Sequence, residues 1–106
     1  MAVNPWTVQS PRRRLAQGSL RVIHHVPGWS LALRVWDGNR ALLVRWNGDA
    51  AHPMGNPASH GYPTWFVLPG DLRAPTLDQI PNPNRAGAKD WLAGGEPSDW
   101  VNPISN

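Results

Sequence analysis

The chain has 106 residues, a net charge of +3 at neutral pH, 41% apolar residues and no cysteine. A length of this order makes one domain that buries roughly 65% of its unfolded surface, and the lack of cysteine excludes disulfides, thiol catalysis and cysteine-ligated zinc. No run approaches the roughly 18 to 20 apolar residues that would span a bilayer, and the start lacks the basic n-region of a signal peptide, so a soluble, cytoplasmic protein is expected.

The charge is uneven: residues 1–70 hold seven Arg against two Asp, and residues 71–106 hold Arg73, Arg85 and Lys89 against five acids. Nine of the ten cations are arginine, whose planar fork pairs with phosphate and stacks on rings.

In chain order, the first expected element is a short edge strand at 5–8 (PWTV), with proline tolerated at its start. The basic run SPRRR at 10–14 is either a phosphate-binding arm or a solvated loop. A strand over 19–26 ends at the turn signal Pro27-Gly28, and in it His24 and His25 point to opposite faces.

The segment 29–46 carries the clearest signal. Asp37-Gly38 between two apolar runs predicts a hairpin of strands 29–36 and 39–46 with a two-residue turn. Trp36 then opposes Asn39, Leu33 opposes Leu42, Leu31 opposes Val44 and Trp29 opposes Trp46. One face is nearly all apolar. The other is mixed and carries Ser30, Arg34, Trp36 and Arg45. A one-residue slip would mix both faces, so the two-residue turn is favoured. A long connection at 47–62 leads to a strand at 64–68 (TWFVL), stopped by Pro69-Gly70.

From residue 69 onward lie six of the twelve prolines. One short helix is expected at about 85–93, with Asn84 as its N-cap and Gly94 as its stop, and the rest extended. Two tryptophans in this segment argue that it docks, because disordered tails are poor in aromatics. The expected fold is a single all-β domain. A small barrel-like antiparallel sheet of four to five strands fills about 5–70, and the proline-rich extension from about 71 packs on it.

The run Leu43-Val44-Arg45-Trp46-Asn47-Gly48, followed by Thr64-Trp65, Pro69 and Leu72, resembles the chromodomain pattern over residues 43–72. The resemblance implies a small curled antiparallel sheet with a C-terminal helix, and binding of methylated lysine in an aromatic cage or of nucleic acid. Trp46 matches one cage aromatic. Asp49 stands where the next aromatic belongs, the connector is longer than the family's, and Pro75, Pro81 and Pro83 interrupt a long helix. The resemblance supports the barrel class and not the cage.

Two surfaces are the candidate sites. In the first, His52, Met54, His60 and Tyr62 of the long loop line a cleft with Trp65, since loops longer than about 12–15 residues are often functional. The competing reading is a tolerated insertion. In the second, Arg34, Trp36 and Arg45 form a stacking platform for bases, unless the arginine stems merely cover Trp36. Trp46, paired with Trp29, is expected in the core. His52 and His60 share the loop and could meet, but a metal site wants three or four ligands and only Asp49 or Asp71 is an obvious third; no paired catalytic carboxylates or phosphate-cradling loop appear, so no cofactor or metal is expected. The leading function is a non-catalytic accessory module that contacts nucleic acid through an Arg/Trp surface. The alternative is a protein- or small-ligand-binding module using the cleft, with a homo-oligomer formed through the C-terminal extension. An enzyme using His52 or His60 is the third class.

Overall fold

The computed structural model describes residues 4–8, 20–59 and 62–103, for Ser59 and Tyr62 the backbone alone. Its centre is the hairpin of β2 (Trp29–Trp36) and β3 (Asn39–Trp46), in the register that the Asp37-Gly38 turn predicts, from Trp36 opposite Asn39 to Trp29 opposite Trp46. Asp37 (φ 50°) and Gly38 (φ 82°) are both left-handed, as a type I′ turn requires.

On one side β1 (Arg21–His25) pairs with β2, with a register irregularity at Ile23. On the other side of the hairpin, β4 (Ala58–Ser59) and β5 (Tyr62–Pro63) pair with each other. The chain then adds β6 (Phe66–Val67) to β3. The four-stranded antiparallel order is β1-β2-β3-β6. Among the described residues the sheet stays open, with β1 and β6 as its edges, where a barrel-like closure was expected. Closure needs long, staggered strands, and β6 pairs over only two residues.

The expected strand at 5–8 is instead a 3-10 turn, Pro5–Thr7. Asn4 Oδ1 accepts the Trp6 N–H at 3.0 Å and proline takes the first position. Asn-Pro is a helix-start signal, and here it overrides the β-propensity of the residues that follow.

Both faces of the hairpin are buried. On one, Ile23, Leu31, Leu33 and Leu42 meet Leu77, Ile80 and Ala88 of the C-terminal segment, with Trp91, Leu92 and Trp100 packed around them. Each fully buried leucine contributes about 1.5–3 kcal/mol. On the other, Val22, Ala32, Ala41 and Leu43 meet Val8 and Trp65, with Trp6 and Trp36 packed against them. Ala32 and Ala41 leave room on this face for the Trp65 indole, whose Nε1 donates to Val8 O at 2.8 Å.

The C-terminal segment holds two helices, α1 (Arg73–Leu77) and α2 (Asn84–Leu92). The first lies where extended chain was expected; Pro75 falls in its first turn, where no intrahelical N–H bond is lost. Gly94, at φ 105°, follows the end of α2 as expected. Asn84 is the first residue of α2 and not its cap. Its Nδ2 donates to Ile23 O (2.9 Å) and Val101 O (2.7 Å), and its Oδ1 accepts from Val101 N (2.9 Å). The capping role passes to Asn82, whose Oδ1 accepts the Ala86 N–H at 3.1 Å.

Arg40 closes the other end of this cover. Its Nη1 donates to Trp91 O (2.8 Å) and Gly95 O (2.7 Å), its Nη2 pairs with Glu96, and its Cζ lies 4.7 Å from the Trp91 ring centroid. The Glu96 side chain is well exposed. Solvent-exposed ion pairs add about 0–1 kcal/mol, whereas hydrogen bonds from a charged donor add about 1.5–3 kcal/mol. Glu96→Gln is therefore expected to cost under about 1 kcal/mol and Arg40→Ala about 3 kcal/mol or more, compared by chemical denaturation. Equal losses would assign the docking to the ion pair.

Candidate functional site

The connection at 47–57 is built on Arg45, which the mixed hairpin face points into it. Arg45 is 1% exposed. Its guanidinium donates to four carbonyl oxygens: Thr64 and Met54, Pro57 (3.5 Å) and Trp46 (3.2 Å). No carboxylate meets it among these bonds, and burial pushes its pKa down to about 10, so it stays charged at neutral pH. Asn56 and Trp46 exchange backbone bonds of 2.7 and 2.8 Å, folding the loop back on β3. At Gly55 (φ 64°) a Cβ would fall on Trp46 O, so only glycine fits.

The residues expected around a cleft therefore separate. Trp65 is 2% exposed and belongs to the core. His52 and Met54 lie on the outer surface of the loop, with the His52 ring 5.7 Å from that of Trp46. Trp46, expected in the core, is 39% exposed, because the helices cover the sheet from Leu31 and Leu42 outward and not this end of the hairpin. His60 and the Tyr62 side chain lie outside the described residues, as does the run at 10–14.

The expected platform separates as well. Arg34 is 3% exposed, Arg45 is enclosed and Trp36 packs against the Val8–Trp65 cluster. The alternation that placed these three on one face is correct, but that face is covered by residues near the N-terminus.

His24 and His25 do leave opposite faces. The His24 ring lies 4.7 Å from Trp29, and burial, then neighbouring His25, holds its pKa below the usual value. His25 Nδ1 is 2.8 Å from Ser30 Oγ, which accepts Asn47 Nδ2 at 2.8 Å. Asn47 leaves the hydroxyl proton for His25, a nucleophile–base contact in form. Ser30 and Asn47 are fully buried, so the hydroxyl is closed to solvent. Among the described residues no three His, Cys, Asp or Glu side chains group as metal ligands, and no helix is long and apolar enough to cross a membrane.

A groove of about 840 Å³ opens elsewhere, between the N-terminal turn, the β1 edge and the C-terminal segment. Three tryptophans line it (Trp6, Trp91 and Trp100), with Arg21, Arg40, Glu96 and Asn102. Trp100 is fixed there. Its Nε1 donates to Pro97 O at 3.0 Å, and its ring lies 3.0 Å from where a Cβ on Gly87 would stand. Arg21 Cζ lies over this ring, 4.7 Å from its centroid, and the side chain is exposed. The volume falls within the range of ligand sites. The sequence signals were the tail tryptophans and the arginine excess; their meeting at the β1 edge is a tertiary fact.

No family model, curated protein or solved structure matches this chain.

Gly55→Ala should release the loop locally. Hydrogen exchange is expected to show the Trp46 and Asn56 amides losing protection while the β2–β3 ladder keeps it; unchanged protection would mean the loop holds without the glycine. Asp49 provides a second check. It accepts the His52 backbone N–H at 2.8 Å, which with the nearby His52 side chain holds its pKa below the usual 3.8. A carboxylate with a depressed folded pKa adds stability above its unfolded value, lost as pH falls through the lowered one. The Asp49 carboxyl resonance should titrate with a midpoint below 3.8.

Proposed function

We propose that this chain is a non-catalytic binding module that contacts nucleic acid through an Arg/Trp surface, and that the surface is the groove between the N-terminal turn and the C-terminal segment. The observation that carries this reading is Arg21 lying over Trp100 at 4.7 Å, exposed at a groove lined by two further tryptophans. Among the described residues its guanidinium forms no hydrogen bond, and the residue is exposed. Arginine braced on an aromatic ring meets phosphate through its N–H edge and a base through its plane. Net positive charge supports the same partner. The arginines at 34 and 45 are enclosed, which moves the surface to Arg21.

A protein partner, including a second copy of the chain, is the alternative reading. It is favoured by Phe66 on the β6 edge, 54% exposed, together with exposed Trp46 and Met54.

The two readings separate by titrating short single-stranded oligonucleotides at low salt. Binding is expected, with Arg21→Ala weakening it about tenfold or more and Trp46→Ala leaving it unchanged. The absence of binding, or an unaffected Arg21→Ala protein, would remove the nucleic-acid reading.

A further inference from the structure

We infer that the groove reads guanine, with the Glu96 carboxylate accepting from the N1–H and the N2 amino group of one unpaired base. This rests on the nucleic-acid reading of the groove and deepens it by naming the base.

A carboxylate on a surface that binds nucleic acid needs a reason, because it repels every phosphate brought near it. Glu96 lines the groove. An ionised carboxylate only accepts hydrogen bonds, through two oxygens set side by side. On the Watson–Crick edge of an unpaired base, guanine presents two adjacent donors, N1–H and the N2 amino group. Adenine and cytosine each place an acceptor beside their amino group, and thymine and uracil flank their one N–H with two carbonyls. Guanine is therefore the base that a carboxylate fits, and that edge is open only in a single strand.

Glu96 is held for this role from both sides. The Gly95 N–H donates to Asp90 O at 2.9 Å, and Gly95 O accepts from Arg40 Nη1 at 2.7 Å. Pro97 follows and biases Glu96 toward extended backbone. The Pro97 carbonyl in turn accepts Trp100 Nε1 at 3.0 Å. Arg40 Nη2 meets Glu96 Oε1 and orients the carboxylate, whose side chain is well exposed. Each carboxylate has about four acceptor sites, so one bond to Arg40 leaves room for two from a base. The same arginine lies over Trp91 and Arg21 lies over Trp100, each with Cζ 4.7 Å from the ring centroid. The tryptophan-lined groove thus offers a cation at Arg21 for the phosphate and a fixed acceptor at Glu96 for the base edge.

The test uses the full chain and short oligothymidine strands that carry one central guanine, hypoxanthine, adenine or cytosine. A single guanine keeps the strands from assembling into quartets. The guanine strand is expected to bind about tenfold tighter than the adenine strand, and hypoxanthine, which lacks the N2 amino group, should fall between them. Glu96→Gln puts a donor in place of one acceptor. It should weaken the guanine strand and leave the adenine strand no weaker, bringing the two within about twofold of each other. Its melting temperature should hardly change, since the ion pair it removes is exposed. Arg21→Ala should weaken all the strands alike.

Equal binding of the four strands, or a preference for another base, would overturn the guanine inference while leaving nucleic-acid binding standing. A guanine preference that survives Glu96→Gln, or a loss that is the same for every base, would remove Glu96 as the reader. No binding of any strand would overturn both this inference and the reading beneath it.

Discussion

The fold depends on one constraint: the β2–β3 hairpin is buried on both faces. A hairpin with one wet face needs a single cover, and this one needs two. The C-terminal helices supply one and the N-terminal turn with Trp65 supplies the other. Neither cover is a regular sheet or a long helix. Outside the short helices each is irregular chain, whose backbone groups must find partners other than each other.

That requirement explains a composition that first looks odd. Every proline contributes a carbonyl and no N–H, and the chain has twelve of them. The irregular covers therefore hold a surplus of acceptors. Arginine has five donors and no acceptor, and tryptophan has one donor and no acceptor. The buried bonds follow from this imbalance. Arg45 serves Met54, Pro57 and Thr64, Arg40 serves Trp91 and Gly95, Trp65 serves Val8, and Trp100 serves Pro97. Arginine, tryptophan and proline are abundant together because each balances another. Arg21 departs from the pattern: among the described residues its guanidinium donates to no carbonyl, whereas those of Arg40 and Arg45 do.

Local chemistry was legible in the sequence wherever a residue acts on its neighbours. Asp37-Gly38 set the turn, the turn set the register of eight residue pairs, and Gly94 marked the end of α2. What stayed hidden is contact between distant segments. Alternation correctly put Arg34, Trp36 and Arg45 on one face, but it carries no information on whether Val8 and Trp65 will cover that face. Trp46 and Trp65 exchanged their expected places for the same reason, since burial is decided by where the helices and the N-terminal turn come to rest. Asn84 shows a subtler limit. An asparagine ahead of a helix reads as a cap, yet here it joins α2 to the β1 edge and to residue 101, partners 61 and 17 positions away. The candidate site was legible only as ingredients, the tail tryptophans and an excess of arginine.

Asn4 and Pro103 line the same groove. The described chain thus leaves the sheet edge and returns to it, with its first and last parts facing each other across one opening. A short linker could join them and the ring could be cut at the exposed Asp37-Gly38 turn, giving a permuted chain with the same two covers.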